Sequence, residues 1–430
     1  NISFENIIPD KNNNWINLAD NDFEDLLPLA SKEVKFGKSE NALFQLFSLG
    51  VVTNRDDWVY DYNKKNLENK VKLFCRVYTS EKSRWNKSNK SIPINDFVDR
   101  TIKWTEELEN HLIRGNELNF NTNRIIESTY RPFVKMNFYF DRIITHRIYQ
   151  NFALFGEDAR KNNIGIGYIG MDTQKPFSIL AFNRLVGLNY ISPASGCQCL
   201  PLYRYAETGE RIDNITDWGL EQFKNHYQSV IASSPSGEAK QSKKLSIKEK
   251  QITKEDIFNY VYGVLHNPAY RKKYELNLKR EFPRIPFYKN FWQWADWGKK
   301  LMDLHINYET IKPFPLKRFD EELEENSKGI KAKIKVKLKA DKDFGKIVID
   351  DRTTLSGVPK EAWNYKLGNR SALEWILDQY KEKKPKDPTI AEKFNTYRFA
   401  DYKEEVIDLL KKVCTVSVET MKIISEMEKE

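Results

Sequence analysis

The chain has 430 residues, 40% hydrophobic and 13% aromatic, with 70 Lys plus Arg against 61 Asp plus Glu and a formal net charge of +9. This fits a folded protein of two or three domains and excludes a disordered one, and the mild basic excess is compatible with a phosphate-binding face without establishing one. Four cysteines exclude a disulfide framework, and no apolar run approaches the roughly 20 residues of a membrane span, so a reducing, cytoplasmic setting is expected.

The sequence starts at Asn1 with neither Met nor a signal-peptide pattern, and reads as a piece of a longer protein. Residues 1–40 mix Asn, Asp and short apolar stretches (Trp15-Ile16, Leu26-Leu27), and read as a connecting segment laid over a surface. Next comes a polar knot, Thr53-Asn54-Arg55-Asp56-Asp57, inside the apolar-flanked stretch from Gly50 to Tyr60. Such a knot is a surface loop held at both ends, a usual place for binding residues. Asn54 and Arg55 can each make two hydrogen bonds to a base edge. The alternative is a turn in which Asn54 or Asp56 bonds its own backbone and Arg55 pairs with a carboxylate.

Asn95 or Asp96 can cap a long helix that carries Phe97, Thr101, Trp104, Leu108 and Leu112 on one face and ends at Gly115. His111 borders that face and reads as structural. From about Arg124 to Leu202 the texture turns to short strands: Tyr130-Arg131-Pro132-Phe133 leading into Lys135 to Phe140, then Ile164 to Tyr168, then Ile179, Ala181 and Leu185 to Tyr190. A mixed or antiparallel sheet is the expected outcome.

Residues 228–251 lose their aromatics and gain Ser, Gly and Lys, and read as a flexible linker or loop. Thr253 with Asp256 begins a helix in capping-box fashion, with Ile257, Tyr260, Val261, Val264 and Leu265 as its apolar face. Asn267-Pro268 stops it, and a second helix follows from Ala269 to about Arg280. Trp294, Trp297, Leu301, Leu304 and Tyr308 recur at core spacing. Lys331, Lys333, Lys335, Lys337 and Lys339 alternate with apolar residues, so one strand face is all lysine. That face can meet phosphates, or it can block edge-to-edge aggregation. Ser371 and Glu374 form another capping box. A helix around Tyr402 to Val413 and a short one starting at Ser417 close the chain.

The fold class expected is α+β: an N-terminal half with a mixed or antiparallel sheet and flanking helices, then a mainly helical C-terminal half with a short β element around 331–350. The domain boundaries are a 1–40 connecting segment, a 41–227 lobe, the 228–251 linker and a 252–430 helical lobe.

Catalytic patterns fail one by one. Gly165-Ile166-Gly167-Tyr168-Ile169-Gly170 has the dinucleotide spacing, but Met171 to Pro176 cannot start the helix that motif requires. Asp343-Phe344-Gly345 lacks the other kinase elements. Glu238-Ala239-Lys240 has nuclease-like spacing but sits in the linker. Cys197 and Cys199 lie far from Cys75 and Cys414, and no His stands at metal-ligand spacing, so free thiols are expected. No catalytic, cofactor or metal residue is assigned.

Several stretches together are similar to the C-terminal specificity region of Type ISP restriction–modification enzymes. They are Gly50 to Tyr60, Tyr130 to Phe133 with Lys135 and Tyr139-Phe140, Cys197 to Tyr203, Asp256 to His266 with Tyr270-Arg271, Gly368 to Trp375, and Thr415 to Thr420. They occur in family order, with residues 204–250 and 381–400 left unaligned. The resemblance implies a target-recognition region that binds double-stranded DNA and presents an adenine to a methyltransferase domain of the same polypeptide, beside its translocase. It implies no cofactor in this chain, with S-adenosylmethionine, ATP and Mg held by the other domains. The DNA-contact candidates are Thr53, Asn54, Arg55, Arg131, Lys135, Lys331, Lys333 and Lys335. Tyr130, Phe133, Tyr260, Val264 and Trp375 read as packing. The alternative function is a helical coupling scaffold with little DNA contact.

Overall fold

A computed structural model describes residues 21–232, 251–322 and 334–430. The fold is α+β, as expected. Apolar residues near the start are drawn inward at once: Leu27–Pro28 forms a strand that pairs antiparallel with Arg284–Ile285, and Phe23, Leu29, Ala30 and Val34 are buried. The described part of the 1–40 segment thus runs along the surface, with Phe36 and most of its charged residues exposed, and is anchored by the four apolar side chains it sends into the core.

Pairings between named strands are antiparallel throughout. One four-stranded sheet has the order Ser48–Leu49, Gln198–Pro201, Gly165–Ile169, Ser178–Phe182. Its Gly165–Ile169 strand is buried along its whole length. A Cβ on Gly165 would lie 2.2 Å from the Phe182 ring, so that glycine of the dinucleotide-like run serves packing. A three-stranded sheet has the order Tyr60–Asp61, Val134–Tyr139, Ile125–Arg131. The β element expected around 331–350 is larger than its lysine pattern suggested: four strands in the order Lys317–Asp320, Thr353–Ser356, Lys346–Asp350, Val336–Asp341.

Both capping boxes form. Thr253 Oγ1 accepts from Asp256 N at 3.2 Å, and the Asp256 carboxylate accepts from Thr253 N; Ser371 and Glu374 repeat the pattern. Three helix expectations need correction. The 95–115 helix is broken, because Thr105 caps its own short helix, Glu106–Ile113, which Gly115 ends at φ +75. The segment after Asn267-Pro268 divides at Tyr274 into Pro268–Lys273 and Glu275–Arg280. The C-terminus is one helix, Lys403–Met427; Ser417 caps nothing, since its hydroxyl donates to the Val413 carbonyl at 2.8 Å inside the helix. The helix Lys64–Lys87, which no sequence signal had marked, starts at Asn63, whose side chain accepts from Asn66 N.

Lys254–Val264 and Phe291–Ile306 cross at two glycines. A Cβ on Gly298 would fall 1.7 Å from the Asn259 carbonyl oxygen, and one on Gly263 would fall 2.5 Å from that of Trp294. The tryptophan stripe, Trp294 and Trp297 with Leu301, is buried at this crossing. Two buried clusters result. One gathers Trp58, Phe74, Phe133, Phe138 and Tyr190 with Leu355, Trp375 and Leu410. The other gathers Phe23, Phe44, Tyr168 and Phe223 with Tyr260, Trp294 and Leu301. Each draws on residues from both sides of 228–251. Asp217–Ala232 is helical, so that stretch begins inside a helix; residues 233–250, with Glu238 and Lys240, lie outside the described residues.

Candidate nucleic-acid interface

The stretch from Gly50 to Tyr60 forms one wall of a cleft of about 780 Å³. Its start is stitched down by backbone bonds: Val51 N to Val186 O at 3.0 Å, Leu188 N to Val51 O at 2.8 Å, and a reciprocal pair between Val52 and Arg147 at 2.9 Å. Gly50 permits this approach, since a Cβ there would lie 2.4 Å from the Gly187 oxygen. Asn54 then turns the chain at φ +54, a left-handed conformation that Asn tolerates, and Asp56–Val59 makes one helical turn.

Within the knot the polar groups face inward more than the sequence suggested. The Thr53 hydroxyl donates to Asp56, whose other oxygen accepts from the Tyr130 hydroxyl at 3.0 Å. Arg55 is 1% exposed. Its guanidinium donates to the Ile144 carbonyl at 2.7 Å and the Thr105 hydroxyl at 2.6 Å, and lies over the Phe74 ring. Burial lowers its pKa to about 10, so it stays charged at neutral pH. Trp58 packs edge-on against Phe74 and donates its indole N–H to Asp387 at 2.7 Å. Lys70, from the Lys64–Lys87 helix, donates to the carbonyls of Asp57 and Tyr60 and pairs with Asp61 at 2.8 Å. Burial lowers the Lys70 pKa, and Asp61 opposes that shift.

Of the eight DNA-contact candidates, Thr53 and Arg55 are thus buried and used internally, while Asn54 is exposed at the cleft. Arg131 is buried, stacked at 4.0 Å over the Tyr130 ring and bonded to the Tyr130 carbonyl. Lys135 is held by Glu309 and, at 3.4 Å, by Glu127. Lys335 is exposed, and its backbone N–H donates to Asp351. Lys331 and Lys333 lie outside the described residues. Phe133, Tyr260, Val264 and Trp375 are buried, and Tyr130 is half-buried, as packing residues should be.

The sequence reading missed three other residues on the cleft: Lys103 and Lys386, both exposed, and Asn189. The signal for Lys386 was the run Lys381-Glu382-Lys383-Lys384-Pro385-Lys386, which ends where Asp387 caps the Pro388–Lys393 helix. Lys103 and Asn189 carry no pattern of their own. Thr53, Arg55, Arg131, Asp56 and Asp387 also line the cleft but are engaged as described or, for Asp387, by Trp58. With the Lys103 and Lys386 ammoniums, the Asn54 and Asn189 amides and the Asp57 carboxylate beside them, the cleft can bind a polyanion and exchange hydrogen bonds with it.

No group of three or more metal-ligating side chains occurs among the described residues, and no helix among them is long and apolar enough to cross a membrane. All four cysteines are free and buried; burial pushes the Cys75 and Cys414 thiols up to about 12.

No curated protein matches the chain. Solved structures do, among them the following three. The DrdV–DNA complex is 42% identical at a TM-score of 0.85, covering 99% of this chain and 40% of that one. A nuclease-deletion mutant of the Type ISP restriction–modification enzyme LlaGI with a DNA substrate mimic is 29% identical at 0.76, covering 99% and 30%. The ATP-dependent Type ISP enzyme LlaBIII bound to DNA is 26% identical at 0.74, covering 98% and 25%. The chain therefore spans well under half the length of each. The model of the Type ISP C-terminal specificity domain matches residues 42–409, and the chain belongs to that family.

Proposed function

We propose that this chain binds double-stranded DNA at a specific sequence, as the target-recognition part of a restriction–modification enzyme, and presents an adenine to a methyltransferase domain of the same polypeptide. The observation that carries this reading is family membership together with three solved relatives in complex with DNA or a DNA substrate mimic. Lys103 and Lys386 are the phosphate contacts in this reading, and Asn54 and Asn189 offer both a donor and an acceptor to a base edge. The chain holds no cofactor of its own; S-adenosylmethionine, ATP and Mg serve the methyltransferase and translocase, and the whole enzyme works in the cytoplasm. A coupling scaffold with little DNA contact has weaker support, because the same three relatives were solved with DNA or its mimic.

Selection from a randomised duplex pool over a salt series tests the reading. One enriched sequence whose affinity falls steeply with salt is expected. No enriched sequence at any salt would sink it.

A further inference from the structure

The four-stranded sheet between Lys317 and Ser356 has an outer face that the cleft does not use. Its register aligns two cross-strand rows. Phe319, Thr354, Val348 and Lys339 make one; Lys317, Ser356, Lys346 and Asp341 make the other. The opposite face carries Leu355 and Ile347, both buried, and the sheet is tied to the start of the C-terminal helix through Arg318–Glu404 and Lys403–Asp350 pairs. The outer face is therefore the solvent side of a sheet anchored from behind.

Its composition is unusual for a plain solvated face. Lys317, Lys339 and Lys346 are exposed, and none has an ion-pair partner among the described residues. The Lys346 ammonium lies 5.7 Å from the ring of Phe344, a 74% exposed side chain in the adjoining turn. Asp341 is the one carboxylate in the two rows, and it accepts from the Phe344 backbone N–H; Asp343 is exposed in the same turn. Phe319 is 54% exposed in the other row. With strands about 4.8 Å apart, Lys317 and Lys346 stand about 10 Å apart across Ser356, and the two rows are about 7 Å apart along the strands.

We propose that this face binds single-stranded nucleic acid without sequence preference, with Lys317, Lys339 and Lys346 meeting phosphates while an unpaired base stacks on Phe319. Three unpaired cations select a polyanion. The exposed ring selects within that class: a duplex keeps its base faces stacked on one another, whereas a single strand offers one to an aromatic side chain. An acidic peptide would satisfy the lysines and leave Phe319 in water. This goes beyond target recognition and does not rest on it, since it uses a different face and needs no base reading.

The test is fluorescence anisotropy of a labelled oligothymidylate of about 20 nucleotides with the full chain, over a salt series. Phe319→Ala is expected to weaken binding about ten-fold, and Phe319→Trp to restore it. Lys317→Ala with Lys346→Ala is expected to lower the salt slope by about 1.4. Combined with Lys103→Ala and Lys386→Ala, Phe319→Ala is expected to keep its effect of about ten-fold on the oligothymidylate, since distant sites add independently, which separates this face from the cleft. All substituted side chains are exposed, and matching thermal melts confirm folding. Wild-type affinity in Phe319→Ala overturns the proposal, as does a polyglutamate peptide competing as well as the oligothymidylate. Failure to select a duplex target would leave this result standing, so the two readings fail separately.

Discussion

The Trp58 indole nitrogen donates to an Asp387 oxygen 2.7 Å away, joining segments 329 positions apart. The second Asp387 oxygen accepts from Ile390 N at 3.1 Å and caps the Pro388–Lys393 helix. One carboxylate thus pins the Gly50–Tyr60 wall to the loop that brings Lys386 to the cleft. Asp387→Ala leaves a buried indole N–H without an acceptor and removes a cap, for a loss of about 2–3 kcal/mol. Asp387→Asn keeps an acceptor for one of the two and should lose about 1 kcal/mol. Urea denaturation measures both, and equal losses would show that the acceptor is not what matters.

A second prediction concerns the helix crossing. Gly298→Ala puts a methyl group 1.7 Å from the Asn259 carbonyl, and neither helix backbone can move without opening the core around Trp294. A loss above about 3 kcal/mol, or no soluble folded chain, is expected. Gly115→Ala is the contrast: its φ is +75 but nothing lies within 4 Å, so only backbone strain of about 1 kcal/mol applies. Thermal melting of the pair checks this.

Burial also fixes the response to acid. His305 is enclosed by Tyr262, Thr420 and Tyr365, at 2.6, 3.0 and 3.1 Å. Burial, with Arg271 adding to it, pushes its pKa down to about 3, and burial holds His266 well below 6.5 too. Unfolded histidines titrate near 6.5, so the unfolded chain binds more protons between those values. Stability is therefore full above pH 6.5 and falls as pH drops toward 3. At pH 4.5 the His305 share of the loss is about 3 kcal/mol. Comparing urea midpoints at pH 7 and 4.5 shows it, and His305→Gln should flatten the slope; equal slopes would remove His305 as the cause. Asp350 acts lower: burial works to raise its pKa, yet Lys403 and two backbone N–H groups hold it down, so its contribution is lost below about 3.8.

Arg55 and the rim lysines should behave oppositely in DNA binding. Arg55→Ala removes a buried, bonded charge and is expected to cost about 3 kcal/mol of stability, with no change in the salt slope of binding. Lys103→Ala with Lys386→Ala should leave stability within about 0.5 kcal/mol and lower the slope for duplex by about 2. A changed slope in Arg55→Ala would return that residue to the DNA face.

Local rules were legible in the sequence where chemistry was local. The capping boxes at Thr253 and Ser371, the strand Gly165–Ile169 and the tryptophan stripe all formed because each is decided within one turn or one strand. Long-range pairing was not. Nothing near Leu27 announces Ile285, and nothing near Arg55 announces Ile144 and Thr105. Arg55 reads from the sequence as a free side chain because its acceptors lie 89 and 50 positions away. For the same reason Lys103 and Asn189 were invisible: a cleft residue is defined by its neighbours in space. Ser417 failed in the other direction, since a hydroxyl that could start a helix can equally bond back within one.

The two interleaved cores have a consequence for how such a domain can change its preference. Exchanging the first 250 residues with those of a relative would cut through both clusters at once and leave each half with mismatched packing. A cut at residue 250 therefore costs packing in both clusters, whereas substitutions at the exposed cleft residues Asn54, Lys103 and Lys386 leave both cores whole.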